Sequence, residues 1–516
     1  GGFAGHAGLF STANDLARYA RMLLSQGALD GARVLTKESV AQMTSPHDVP
    51  GGIRALGWDM QTRYSLNRGT TLSRRAFGHG GYTGTSMWID PEEDLFVIFL
   101  SNRVHPDGKG SVNGLVGDIA TWVGRAIGGA PPEAGAVAAS HVVLGIDALA
   151  ADQFAPLGGA RVALLTNDAA RAADGTRTVD VLASAKSVSL VALFSPEHGL
   201  GADRDQKIGD AVDTTSRLPV HSLYGDITAP TPEMLAGVDV IVADLPDAGA
   251  RFYTYASTLH QTMRVAAKLG IRLVVLDRPN PIDAVDVAGP LLDPSERSFV
   301  NHHRLPIRHG MTIGELAEMI NADEHLGLAL EVVRMRNYRR AAYYDETGLT
   351  FRPPSPNLRT VEETLLYPAV ALVEGTNVAV GRGTDTPFEV LGAPWIDGKR
   401  LAAALAANSL GGVSITATRF TPKSSNYAGE ECGGIKIHIR DRARFEPIRT
   451  GVALALALRS LYREKWNASR LHEMIGQPSV TAAILDVRPL SQIEAMWKDD
   501  LEAFVGKRSK YLLYPL

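Results

Sequence analysis

Between residues 161 and 276, short runs of apolar and β-branched residues alternate with segments of helical spacing, and this alternation restricts the fold more than anything else in the chain. The runs cover 161–166, 189–194, 238–243 and 272–276. A helix is predicted around 178–185, and a second carries Tyr255, Leu259, Met263 and Ala266 on one face. Strands joined through helices lie parallel, because an antiparallel pair needs only a hairpin. The expected core is therefore an open parallel sheet, and such sheets bind ligands beyond the carboxyl ends of their strands.

Each run ends in polar residues. They are Thr166-Asn167, then Ser195-Pro196-Glu197-His198, then Asp244 and Asp247 with Arg251 and Tyr253 beyond, and finally Asp277-Arg278-Pro279-Asn280. Taken singly, an Asn, Ser or Asp in such a place caps a helix or closes a turn. Four strands aiming such groups at one crevice point instead to a binding site, with Asn167, His198, Asp244, Arg251, Tyr253, Arg278 and Asn280 as candidate lining. Glu197 stands out, since a glutamate between a proline and a His-Gly turn serves neither strand propensity nor packing. Held among apolar groups such as Phe194, its carboxyl would stay protonated near neutral pH, as a general acid must. Glycosidic cleavage pairs such a donor with a second carboxylate, or with an acetamido group of the substrate itself. Asp244, Asp247 and Glu374 are candidates for the second carboxylate, and the sequence does not choose among them.

Other chemistries fit less well. The first turn, Thr166-Asn167-Asp168-Ala169-Ala170, lacks the glycines that let a pyrophosphate approach a helix N-terminus, so no nicotinamide cofactor is expected. His198, His302, His303 and His309 have no metal-ligand spacing; they read as hydrogen-bonding groups, and no metal is expected. Cys432 is the sole cysteine, which excludes an intrachain disulfide and a cysteine-based zinc cluster. A net charge of −4 over 516 residues argues against a broad nucleic-acid face. No apolar run reaches the length of a membrane-spanning helix. Oligomeric state is not legible.

The length calls for two or three domains. Residues 129–140, rich in Ala, Gly and Pro, form the expected linker between a first block, 1–128, and the sheet domain, 141–330. In the first block, Thr12 to Asp15 fits a helix cap, with a helix ending near Gly27, and runs 83–89 and 95–100 read as a hairpin. Residues 331–516 read as a smaller α+β domain, with strands near 435–439 and a helix near 451–462. There Glu374-Gly375-Thr376-Asn377 and Gly381-Arg382-Gly383-Thr384 form a polar loop, followed by Gly392-Ala393-Pro394-Trp395. It is either a long surface turn or a wall of the site, where Arg382 could pair with a carboxylate and Trp395 could stack on a sugar face.

Seven ordered motifs carry a resemblance over 141–516. They are Leu193-Phe194-Ser195-Pro196-Glu197-His198-Gly199, Gly249-Ala250-Arg251-Phe252-Tyr253-Thr254-Tyr255, Leu276-Asp277-Arg278-Pro279-Asn280-Pro281, Arg308-His309-Gly310-Met311-Thr312, Pro354-Ser355-Pro356-Asn357, the 374–395 loop and Cys432-Gly433-Gly434. In these the chain resembles the NamZ family of exo-acting β-N-acetylmuramidases. The resemblance implies a Rossmann-like domain with a smaller C-terminal domain, and Glu197 as the catalytic residue. It implies hydrolysis of the β-1,4 bond after a non-reducing terminal N-acetylmuramic acid, so that peptidoglycan-derived saccharides or muropeptides are the expected partners. The lactyl carboxylate of that sugar gives Arg251, Arg278 and Arg382 a reason to stand in the crevice.

The first block resembles the C-terminal part of serine β-lactamase-like and penicillin-binding-protein-like hydrolases, through Gly5-His6-Ala7-Gly8-Leu9-Phe10-Ser11-Thr12 and Gly78-His79-Gly80-Gly81-Tyr82-Thr83-Gly84-Thr85. The resemblance implies that His79-Gly80-Gly81 occupies the Lys-Thr-Gly strand position, with Gly80 in place of the usual hydroxyl residue. Without a Ser-x-x-Lys nucleophile the block is expected to be inactive as it stands, a piece of a longer fusion protein or a scaffold. The fold class expected for the whole is thus α/β, preceded by a partial α+β β-lactamase-like domain. Two other readings stay open: a non-catalytic peptidoglycan-binding protein, and a serine esterase or amidase active through a complete first domain. The substrate suggests a secreted, periplasmic or cell-surface protein, with any signal peptide upstream of Gly1.

Overall fold

The computed structural model describes residues 11–49, 52–62, 64–69, 71–104, 112–127, 142–205 and 209–516. The expected linker at 129–140 and the motif from Gly5 to Phe10 lie outside the described residues. Those described fall into two compact units. One comprises the residues up to Val142 with Arg339–Leu349 and Pro515–Leu516; the other comprises Val143–Tyr338 and Thr350–Tyr514. No helix among the described residues is long and apolar enough to cross a membrane.

In the first unit six antiparallel strands follow one another in sequence order across a sheet, from His47–Val49 to Leu95–Phe99. The helix Ala13–Leu24 begins where its capping pattern places it, with the Thr12 side chain accepting from the Asp15 N–H. The hairpin pairs Ser86–Asp90 with Leu95–Phe99 and so starts later than residue 83, because Gly81 to Thr85 form a turn closed by a bond from the Gly81 N–H to the Thr85 carbonyl. At Gly80 a Cβ would stand 2.3 Å from Asn67 Nδ2. Asn67, fixed by the Trp88 indole N–H, occupies the room that a hydroxyl residue would need.

The second unit is built on a seven-stranded sheet. Its order is Ala211–Val212, Pro219–Ser222, Ser189–Ser195, Arg161–Thr166, Val240–Asp244, Arg272–Leu276 and Leu330–Val333, all parallel except the first, which pairs antiparallel at the edge. The six parallel strands, numbered along the chain, stand in the order 3-2-1-4-5-6, the doubly wound arrangement. The four predicted strands form its middle. The two that periodicity missed, Pro219–Ser222 and Leu330–Val333, are four residues each and only partly buried, too short to show a pattern. Leu330–Val333 also carries the sheet past residue 330, the expected boundary between the two domains.

The rest of this unit has a three-stranded antiparallel sheet, Val390–Ala393, Cys432–Ile439 and Val413–Phe420 with Cys432–Ile439 central, and a set of helices. One continuous buried cluster runs from the parallel strands through Leu366, Val373 and Leu391 to Phe504. The helix Pro447–Leu461 packs against Val361–Val370 so closely that a Cβ at Gly451 would stand 2.4 Å from the Ala369 carbonyl oxygen. Gly451→Ala should therefore lower stability by about 1–3 kcal/mol in a denaturant titration, the reverse of the roughly 1 kcal/mol gain that Gly to Ala brings inside an unobstructed helix.

Candidate active site

The strand Ser189–Ser195 delivers Glu197 to the carboxyl edge of the sheet. His198 takes a left-handed conformation, φ 71°, and reverses the chain there. Its Nδ1 lies 2.8 Å from the Arg204 carbonyl oxygen, which can only accept, so Nδ1 carries the ring proton. Glu197 faces the first turn of the helix Thr254–Leu269, where Thr254 Oγ1 donates to its Oε2 at 2.5 Å. The Tyr224 hydroxyl also stands close to Glu197, and burial together with that carboxylate raises it far above its ordinary pKa. Hydroxyl groups, then, rather than Phe194, surround this carboxyl. Phe194 is fully buried in the core, its ring 5.5 Å from that of His221.

Glu197 and His198 open onto a recess with about 330 Å³ of free space, shared with Phe252, Tyr253, Thr254, Ser355, Leu358, Tyr367, Arg382 and Phe388. Three distant motifs are joined at its rim by Asp205. One carboxylate oxygen lies 3.4 Å from His198 Nδ1, while the other accepts from Asn357 Nδ2 at 2.6 Å and lies 3.7 Å from Arg382 Nη1. Arg382 is further held by an ion pair from its Nε to Glu374 and lies over the Phe388 ring, 5.5 Å from its centre. Burial opposes its charge, but Glu374, Tyr367 and Asp205 outweigh it and raise its pKa. Arg382 Nη2 donates no hydrogen bond among the described residues.

The structure separates the remaining predicted residues from this recess. Asp244 and Arg278 neutralise each other in a buried ion pair, Arg278 Nε to Asp244 Oδ1 at 2.5 Å, with Thr178 donating to the other oxygen. Asn167 is buried and donates to the Tyr255 hydroxyl at 2.7 Å, which itself donates to the Pro354 carbonyl. Asn280 closes a turn, accepting from the Ile282 N–H and donating to the Met311 carbonyl. Arg251 is 1% exposed and donates to Asn301 Oδ1 and to the carbonyls of Pro290, Leu305, Met474 and Ile475. Asn377 joins its loop to Lys465 and Asn467, and the Trp395 indole donates to Tyr427. Arg251, Asn280 and Asn377 bond largely to backbone groups, which leave no mark in a sequence, whereas Asp244, Arg278, Asn167 and Trp395 bond to side chains distant along the chain.

Of the three candidate second carboxylates, Asp244 and Glu374 each hold an arginine. Asp247 is buried, accepts from the Gly249 N–H and lies 3.2 Å from His309 Nε2, with its Oδ1 lacking a hydrogen-bond partner among the described residues. Thr254, Tyr224, Asp205, Tyr367 and Phe388 were missed as site residues. Thr254 and Asn357 fall inside quoted motifs, whereas Tyr224 follows the strand that periodicity missed. Outside the recess, His260, His303 and Glu324 converge closely enough to hold a metal.

Comparisons with known proteins agree with this architecture. Family models described as exo-β-N-acetylmuramidase NamZ, N-terminal and C-terminal, match residues 162–362 and 365–514, and a β-lactamase model matches residues 1–120. The peptidoglycan β-N-acetylmuramidase NamZ of Bacillus subtilis is 39% identical over 378 residues, covering 72% of this chain and 91% of that protein. A crystal structure of a DUF1343 family protein from Bacteroides fragilis superposes with a TM-score of 0.68 at 31% identity, over 73% of this chain and 99% of its own. A putative D-alanyl-D-alanine carboxypeptidase of Salmonella typhi is 37% identical over 109 residues, 20% of this chain, and the chain spans 24% of that relative's length.

The contrast between the arginines is testable without any substrate. Arg251→Ala should cost at least about 3 kcal/mol in a denaturant titration, because it leaves a set of buried acceptors without a donor.

Proposed function

Because the chain belongs to the NamZ family of exo-β-N-acetylmuramidases, we propose that it is a peptidoglycan glycosidase that releases non-reducing terminal N-acetylmuramic acid, with Glu197 as its general acid. The observation that carries this reading is the setting of Glu197 in the recess, bonded by the Thr254 hydroxyl, close to the Tyr224 hydroxyl and sharing the recess with a guanidinium that has an uncommitted nitrogen. Protonated Glu197 would give its proton to the bridging oxygen as the anomeric C–O bond breaks, and water then adds to that carbon with loss of a proton, directly or after participation of the substrate's acetamido group. The carboxylate left behind is then received by the Thr254 and Tyr224 hydroxyls and by the positive end of the helix Thr254–Leu269. Those interactions strengthen as charge develops, which is the requirement for lowering a barrier rather than merely binding substrate.

Arg382 supplies the second element of the reading. Its Nη2 is suited to the lactyl carboxylate of a muramyl sugar, and of the three arginines first considered it alone lines the recess. Phe252, Tyr253, Tyr367 and Phe388 give the apolar surfaces on which a pyranose can rest. His198 and Asn357, both tied to Asp205, fix the turn that carries Glu197 and the loop opposite it. The substrate associates the protein with the cell wall, in the periplasm, at the cell surface or in the medium.

The test is release of free N-acetylmuramic acid from a muramyl-glucosamine disaccharide. Glu197→Gln should lower kcat by about 10²–10⁴-fold with an unchanged near-ultraviolet spectrum; full activity in that variant would remove Glu197 from the mechanism. Tight binding of the disaccharide by the unmodified protein with no turnover would identify a binding protein instead. Arg382→Gln should reduce kcat/KM for the muramyl substrate by roughly 10–100-fold, the equivalent of about 1.5–3 kcal/mol for a charge-assisted bond.

A further inference from the structure

Away from the recess, three separate segments of the second unit bring two imidazoles and a carboxylate together. His260 lies in the helix Thr254–Leu269, His303 in the irregular stretch before Pro306–Arg308, and Glu324 caps the helix Ile313–Asp323. His260 Nε2 is 3.0 Å from Glu324 Oε2, and His303 Nδ1 is 3.7 Å from Glu324 Oε1. One donor atom from each residue fits within a span of 4.8 Å. Both histidines are buried, His260 completely.

The far nitrogen of each ring is held by another side chain, which turns the near nitrogen toward Glu324. His303 Nε2 lies 2.9 Å from Asp323 Oδ2 and so carries a proton, while its Nδ1 faces the Glu324 carboxylate. His260 Nδ1 is 3.2 Å from His302 Nδ1, and its Nε2, buried and close to Glu324, is not aligned for a hydrogen bond. Two imidazole nitrogens facing one carboxylate, each ring steadied at its far nitrogen by another side chain, form the donor set and the outer support of a zinc ligand group.

We propose that His260, His303 and Glu324 bind a zinc ion, with a water molecule completing a tetrahedral site. Arg264 and Arg297 now pair with Glu324, and they are the competitors. Their side chains are 36% and 46% exposed, so both guanidinium groups can turn to solvent when the ion enters. Asp323, which holds His303 and also pairs with Lys507, remains beside the site as its outer carboxylate. The ion would join the helix Thr254–Leu269 to the stretch that bears His302 and His303. The first residue of that helix donates to Glu197, and Phe299, close to the bound stretch, has its ring 6.4 Å from that of Tyr224, the other hydroxyl near Glu197. The site is structural in this proposal, acting on the two hydroxyls from behind.

Chelator-treated, untagged protein titrated with zinc chloride in a calorimeter should take up one equivalent, with a rise in melting temperature as binding favours the folded state. His303→Ala and Glu324→Gln should each weaken binding at least about tenfold, and Asp323→Asn about 10–100-fold. Arg297→Ala, a substitution at an exposed side chain, should tighten zinc binding severalfold because it removes a competing cation. An ion-pair cluster with no metal role predicts the opposite set: no saturable uptake, and an Arg297→Ala variant whose stability is indifferent to zinc. Either result, or stoichiometric binding untouched by His303→Ala, overturns the proposal.

Discussion

Polar side chains crowd the carboxyl edge of the parallel sheet, and apolar walls leave them little water, so each must find a partner within the protein or from a ligand. Most find one inside. Asp244 takes Arg278 and Thr178, and Asp277 takes Thr312, Tyr514 and the Gly314 N–H. Asn280 and Asn167 take backbone groups and a tyrosine. Those left over include Glu197 with its neighbouring hydroxyls and Arg382 Nη2 at the recess, and the Tyr253 hydroxyl and Asp247 Oδ1, which have no aligned partner among the described residues. A binding site is located by this remainder rather than by the density of polar residues.

The three arginines show how differently one side chain can be used. Arg251 makes five hydrogen bonds to neutral acceptors from residues 290, 301, 305, 474 and 475, so it fastens chain segments that are far apart in sequence. Its planar fork of donors suits that task better than an ammonium group would. Arg278 exists in a buried pair, where the desolvation of both charges is offset by bidentate bonding to Asp244. Arg382, partly exposed, is held by Glu374 on one side and Asp205 on another, which orients it without using all its donors.

The sheet was legible because its central strands are continuous apolar runs with a helix between them, and because polar residues at their ends mark one edge. Glu197 was legible for the same reason: it follows such a run, where neither packing nor propensity asks for a glutamate. The edge strand Pro219–Ser222 was not legible, and with it Tyr224 was lost. Nor could periodicity show that Arg251 would be inside. Its place follows from backbone carbonyls contributed by Met474 and Ile475, more than two hundred residues later. Motif membership fails in the same way, since Arg251 and Thr254 stand three residues apart in one motif and only Thr254 reaches Glu197.

The helix Thr254–Leu269 explains why that motif has mixed duties. Its first turn must present a hydroxyl to Glu197, while the residues just before it must anchor the chain so that the turn cannot drift. Arg251 does the second task from below, and the buried face of the helix, with Tyr255, Leu259, Met263 and Ala266, fixes its rotation in the core. Two turns further on, His260 meets His302 and Glu324, so the same rigid element is held again at a point remote from the recess. A hydroxyl set 2.5 Å from a carboxylate oxygen is sensitive to small displacements of its backbone, and a helix restrained at both places keeps that separation where a loop would not.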